Sequence, residues 1–123
     1  MDKVVHFEVP FDDAQRALTF YREAFGWQLR SMPDLSYTLA TTTPTGDNGP
    51  TEPGGINGGL LKKQGPITSP VITIAVDDLD EAMARIEKLG GSVAIGRNKV
   101  GDMGFSAYVT DTEGNLIGLW QNA

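Results

Sequence analysis

The only histidine of the chain and a glutamate stand two residues apart in the stretch Val4–Pro10, VVHFEVP. On a β-strand, residues i and i+2 share one face about 7 Å apart, so His6 and Glu8 can act on the same object. Three chemistries suit the pair. The imidazole can ligate a divalent metal. It can move a proton near neutrality, with Glu8 orienting it or raising its pKa. It can also line a pocket, hydrogen-bonded to Glu8 or to a neighbouring strand, or contact a ligand directly. With no cysteine in the sequence, thiol nucleophiles, disulfides and cysteine-held metals are excluded. No second catalytic group stands out beside the pair.

The remaining residues bound the partners. A formal charge of −6 with scattered basic residues argues against a nucleic-acid surface and mildly favours a cationic ligand. Lys62-Lys63 and Arg97–Lys99 read as solvated loop charges. No apolar run approaches the roughly 18 residues of a membrane span, and nothing resembles a signal peptide, so a cytoplasmic protein without membrane partners is expected. The length fits a single domain, residues 1–123, with a sizeable core.

The elements that would position His6 occur twice. Ala14, Ala17, Leu18, Tyr21 and Phe25 form one helical stripe, preceded by Asp12-Asp13 as cap candidates and stopped by Gly26. Leu79, Ala82, Met83, Ile86 and Leu89 form a second, preceded by Asp77-Asp78 and stopped by Gly90-Gly91. The two segments superpose at a shift of 65 residues. Each helix follows a β-prone run, VVHFEV and then VITIAV, and each precedes three more strand candidates. These lie near 27–30, 37–43 and 56–61 in the first half, and near 92–95, 105–110 and 115–121 in the second. The last strands, GINGGLL and GNLIGLW, match at a shift of 59, so about six extra residues sit in the first half, within TTTPTGDNGPTEPGG. Both halves read β-α-β-β-β. A unit this short does not close a core alone, so the copies are expected to pack together. The reading is an α+β fold of two βαβββ modules, 1–61 and 71–123, joined by a linker, 62–70, and pairing their sheets around a concave cavity.

The paired pattern resembles the vicinal oxygen chelate superfamily of glyoxalase I, extradiol dioxygenases and bleomycin-resistance proteins. HFEVPFDDAQRALTFYREAFGW and AYVTDTEGNLIGLWQ carry the likeness, the latter similar to the family's strand–DPxGN–strand ending with Thr112 in place of proline. The resemblance implies four metal-ligand points, on the first and last strand of each module. Carried over by the repeat, they fall on His6, Gly59, Val71 and Gly118. Three of these offer no donor atom, so no family-type metal site and no cofactor are expected. A divalent metal enters only under an alternative reading in which other residues help His6 hold it.

Strand alternation assigns the faces. Val5, Phe7 and Val9, then Ile72, Ile74 and Val76, then Phe105, Ala107 and Val109 are expected beneath the helices. The opposite face would carry His6, Glu8, Asn57, Gly59, Val71, Thr73, Ser106, Tyr108, Leu116, Gly118 and Trp120. That set joins aromatic area to a few hydrogen-bonding groups, the usual make-up of a small-molecule site. Two glycines in place of carboxylates would leave room for a bulky, partly flat ligand stacked on Tyr108 and Trp120. Equally, those rings could fill the cavity or a dimer contact. The Pro- and Gly-rich segment Thr42–Gly55 is expected to be irregular and mobile, either a lid or a plain surface connection.

Two functions follow from these readings. The first is a metal-independent binding protein that sequesters or carries a small organic ligand, as the resemblance to bleomycin-resistance proteins implies. The second is a glyoxalase-like lyase, isomerase or dioxygenase using His6 with a metal held by other groups, or metal-free acid–base catalysis by His6, with Glu8 the second candidate. A homodimer is expected from the resemblance.

Overall fold

A computed structural model describes residues 1–123. The fold is α+β, and the chain divides into two compact units, His6–Pro70 and Val71–Ala123, the latter taking in Met1–Val5. The division at Pro70 falls where the second repeat begins.

In the first unit, β1 (Val4–Phe11) is followed by α1 (Ala14–Phe25), β2 (Gln28–Met32), a 3-10 turn (Pro33–Leu35) and β3 (Tyr37–Thr41). A two-residue hairpin, β4 (Thr45–Gly46) and β5 (Gly49–Pro50), precedes β6 (Asn57–Lys62). The sheet runs β2-β3-β6-β1, antiparallel except that β6 and β1 are parallel. Asp13 caps α1 by accepting from Arg16 N–H at 2.9 Å. Gly26 ends the helix in the left-handed region (φ 72°), which costs glycine nothing, and its N–H returns to the Arg22 carbonyl.

The second unit repeats the plan: β7 (Val71–Ala75), α2 (Leu79–Lys88), β8 (Ser92–Val100), β9 (Gly104–Thr110) and β10 (Leu116–Asn122). Its strands run β7-β10-β9-β8, again with first and last strands parallel and the others antiparallel. The start of the chain joins this unit where the Lys3 carbonyl accepts from Ala75 N–H at 2.9 Å. Asp78 caps α2 through Glu81 N–H, while Gln121 reaches from β10 to accept from Leu79 N–H at 2.8 Å. A strand side chain thus satisfies a helix-end donor that the helix itself cannot.

The core of the second unit follows the sequence pattern. Leu79, Ala82, Ala107, Val109 and Leu119 are buried together, with Ile74, Val76, Met83, Ile86 and Phe105 packed against them. Ile72 departs from the expectation and is exposed, as is Leu89, which lies past the end of α2 as its C-cap. Arg97–Lys99 are not loop charges; they lie within β8, where Arg97 stacks over Phe105 at 4.0 Å and pairs with Asp80 at 3.1 Å.

The first unit buries Ala40, Leu60, Leu61 and Ile67, but α1 has no fully buried residue. Trp27 explains part of this difference. It stacks on Tyr21 at 4.8 Å and lies 5.4 Å from Phe7, so the indole joins helix to sheet. Phe25, expected in the buried stripe, is left 63% exposed.

Candidate functional site

Register brings the four candidates of the first unit onto one face. His6 lies opposite Asn57 and Glu8 opposite Gly59 across the parallel β1–β6 pair. Partnered residues of a ladder project to the same side, so sequence alternation assigned this face correctly. Glu8 is buried at 7% exposure and acts electrostatically on His6. Burial is the larger influence on the imidazole and lowers its pKa, whereas the Glu8 charge raises it. The expectation that Glu8 raises the pKa holds for its own contribution, but desolvation outweighs it and the neutral ring is favoured.

Tyr37, absent from the sequence-derived lining, completes this group. Its hydroxyl lies 2.8 Å from His6 Nε2. The two rings are 20° from parallel with centroids 6.3 Å apart. Leu39 pairs with Gly59 across β3 and β6, so Tyr37, two residues earlier, sits diagonally beside Gly59 on the same face. The hydroxyl-bearing edge of its ring takes the space that any Cβ at position 59 would need. Gly59 does not have a positive φ; close approach of Tyr37, rather than backbone conformation, requires a glycine there. The room expected at Gly59 is therefore filled. The signal was present in the sequence as an aromatic residue on the neighbouring strand, diagonal to a glycine, but it becomes readable only once the β3–β6 register is known.

Asn57 holds the segment that follows β3. Its Oδ1 accepts from Thr42 N–H at 2.9 Å and its Nδ2 donates to Thr45 Oγ1 at 2.7 Å. The Thr42 hydroxyl donates to the Ile56 carbonyl, and Thr51 N–H bonds to the Pro44 carbonyl. Thr42–Gly55, expected to be irregular, contains an ordered β4–β5 hairpin tied to β6 at its base.

In the second unit Thr73, Gly118 and Tyr108 are aligned across β7, β10 and β9, and Trp120 lies between Ala75 and Ser106. Leu116 pairs with Thr110. Val71, Thr73, Tyr108, Ser106, Leu116, Gly118 and Trp120 thus share a face, as alternation implied. Thr73 takes up the space at Gly118: a Cβ there would come within 2.7 Å of the threonine Oγ1. Trp120 lies over Gly104, whose Cβ would approach the indole Cζ2 at 2.7 Å, and its Nε1–H donates to Asn122 Oδ1 at 2.7 Å. An open cavity of about 260 Å³ borders Trp120, with Lys3, Val5, Val76 and Asp77 also on its wall.

The metal implied by the resemblance does not fit these residues. His6 is the only donor among the four carried-over points, Gly59 is covered by Tyr37, and Gly118 is approached by Thr73. Nowhere do three His, Cys, Asp or Glu side chains come together as a ligand set. No helix is long and apolar enough to cross a membrane.

Comparison with known proteins gives likenesses in sequence and in fold. A model described as bleomycin resistance protein-like N-terminal matches residues 3–43. The chain is 31% identical over 115 residues to CFP32 of Mycobacterium bovis, which carries the name of a glyoxylase, and to its Mycobacterium tuberculosis counterpart. The alignment covers 89% of this chain and 41% of those relatives, so the chain spans about two fifths of their length. Among solved structures, a glyoxalase/bleomycin resistance protein/dioxygenase superfamily member from Vibrio splendidus is similar with a TM-score of 0.65, 16% identity and full coverage of both chains. Methylmalonyl-CoA epimerase from Mycobacterium tuberculosis is similar with a TM-score of 0.60 and 16% identity, over 97% of this chain and 87% of that one. These last two likenesses concern the fold. The βαβββ repeat, the His6 strand, the two sequence likenesses and the fold are those of the vicinal oxygen chelate superfamily.

Proposed function

We propose that this chain is a metal-independent small-molecule-binding protein of the glyoxalase and bleomycin-resistance type, which sequesters or carries an organic ligand on the sheet face that holds His6. The observation that carries this reading is the hydrogen bond of Tyr37 to His6 Nε2 over a glycine floor. It engages a ring nitrogen that a metal would need and places a phenol where a ligating side chain would project. The half-buried imidazole, its pKa lowered by desolvation, then serves as a hydrogen-bonding wall beside the buried Glu8. Thermal shift against a broad panel of aromatic and cationic organic compounds tests the proposal. At least one compound is expected to raise the melting temperature, since a ligand bound to the folded state alone stabilises it by mass action. Chelator treatment is expected to leave the temperature unchanged. Stoichiometric Zn, Ni, Fe or Mn on the purified protein, lost in His6→Ala, would overturn the reading.

A second reading is favoured by the same contact. A phenol and an imidazole 2.8 Å apart, with a carboxylate acting on the ring, are within reach for metal-free acid–base catalysis. It requires a substrate turned over by the protein without added metal and not by His6→Ala. Binding without turnover across the panel decides for the carrier.

A further inference from the structure

The space beside His6 is filled by a side chain of the protein itself, and that occupant indicates a ligand class. Tyr37 presents a flat aromatic edge to the bare backbone of Gly59 and a hydroxyl to His6 Nε2 at 2.8 Å. Both contacts belong to a phenol as such and do not depend on the tyrosine backbone. The floor has no side chain to clash with a ring, and the wall has a nitrogen at hydrogen-bond distance. Tyr37 is the first residue of β3, where it pairs with Met32 and closes the β2–β3 ladder. Pairing of β3 with β6 begins at Thr38–Leu60, so Tyr37 stands just beyond the end of that ladder. It directly follows the turn at Pro33–Leu35 and Ser36, the one non-glycine residue with a positive φ, 50°.

We propose that Tyr37 is an internal placeholder, and that the His6 site takes phenols and similar flat aromatic hydroxyl compounds, which displace the Tyr37 side chain and repeat its contacts with His6 and Gly59. This rests on the metal-independent binding reading and adds to it a ligand class and a residue that competes with the ligand. Truncating Tyr37 removes the competitor and opens a matching space, so it should strengthen phenol binding.

The test uses p-cresol, the tyrosine side chain as a free molecule, and toluene, which lacks the hydroxyl. His6 is the only histidine, so its imidazole NMR signals are unambiguous. In the wild-type protein p-cresol is expected to shift those signals. Calorimetry should show p-cresol binding Tyr37→Ala about tenfold or more tightly than wild type, and about fivefold more tightly than toluene binds the same variant, the ratio of one net hydrogen bond. The inference is overturned if p-cresol up to its solubility limit leaves the wild-type His6 signals unmoved. It is also overturned if toluene binds a folded Tyr37→Ala as tightly as p-cresol does. Should Tyr37→Ala fail to fold, the wild-type His6 signals decide alone. A different compound that stabilises the wild type while p-cresol leaves His6 unmoved overturns this inference and keeps the carrier reading, whereas stoichiometric metal lost with His6 overturns both.

Discussion

Tyr37 and Gly59 occupy one another's space: the phenol edge lies where a side chain at position 59 would have to begin. They are 22 positions apart in sequence and diagonal neighbours across two antiparallel strands. Gly59→Ala is therefore expected to destabilise the protein by about 1–3 kcal/mol, the usual effect of overpacking a filled site. In a double-mutant cycle with Tyr37→Ala, the combined loss measured by urea unfolding should be smaller than the sum of the single losses by more than about 0.5 kcal/mol. Simple additivity would mean that the ring does not lie over Gly59.

Loss of the Tyr37 hydroxyl alone has a separate effect. Tyr37→Phe keeps the ring and leaves His6 Nε2, in a part-buried pair, without this partner. A loss of about 0.5–1.5 kcal/mol is expected, the net contribution of one such hydrogen bond. An unchanged denaturation midpoint would count against the hydrogen bond.

His6 should make stability depend on pH in a defined direction. Its folded pKa is lowered by burial, with Glu8 opposing only in part. Between the ordinary imidazole value of about 6.5 and the lower folded value, the unfolded chain holds more protons than the folded one. Stability should be fully present above that window and decline as pH falls through it. His6→Gln is expected to flatten the decline, and urea midpoints measured from about pH 8 to pH 5 would check it.

The turn between β9 and β10 carries an acid-sensitive contact of its own. The Asp111 carboxylate is held below the usual carboxylate range, first by the Asn115 side chain and then by the backbone N–H groups of Asn115 and Glu113. A lowered carboxylate pKa stabilises the fold above the unfolded value and loses that contribution as pH falls through the folded one. Asp111→Ala should lower the melting temperature at neutral pH and lose its difference from wild type in strong acid. A difference that persists after protonation would contradict this.

Asn57 is expected to govern order in the inserted segment. Removing its amide breaks the bonds to Thr42 N–H and Thr45 Oγ1, an expected cost of about 1–2 kcal/mol. Faster amide exchange confined to residues 42–51 of Asn57→Ala would show the β4–β5 hairpin released from β6, and unchanged exchange would show it held by other contacts.

What could be read from the sequence was local or periodic. The two helices, their aspartate caps and the strand alternation depend on neighbours within a few positions, so the pattern of residues determines them directly. The repeat extended that reading to the family and to the four carried-over points, of which only His6 has a donor. Alternation also grouped His6, Glu8, Asn57 and Gly59, which share a face within the first unit, with Val71, Thr73, Ser106, Tyr108, Leu116, Gly118 and Trp120, which share a face within the second.

Tertiary structure decided what fills the space between those residues. Glycine in a sequence is the same letter whether it leaves a vacancy or admits a neighbouring ring, and only the strand register distinguishes the two. At Gly59 the register brings in Tyr37, at Gly104 Trp120, and at Gly118 the hydroxyl of Thr73. Trp27 likewise stacks on Tyr21 beside Phe7 and leaves Phe25 exposed, which the helical stripe could not reveal. Packing is a property of pairs of surfaces brought together by long-range pairing, and each single strand or helix specifies only one surface of the pair.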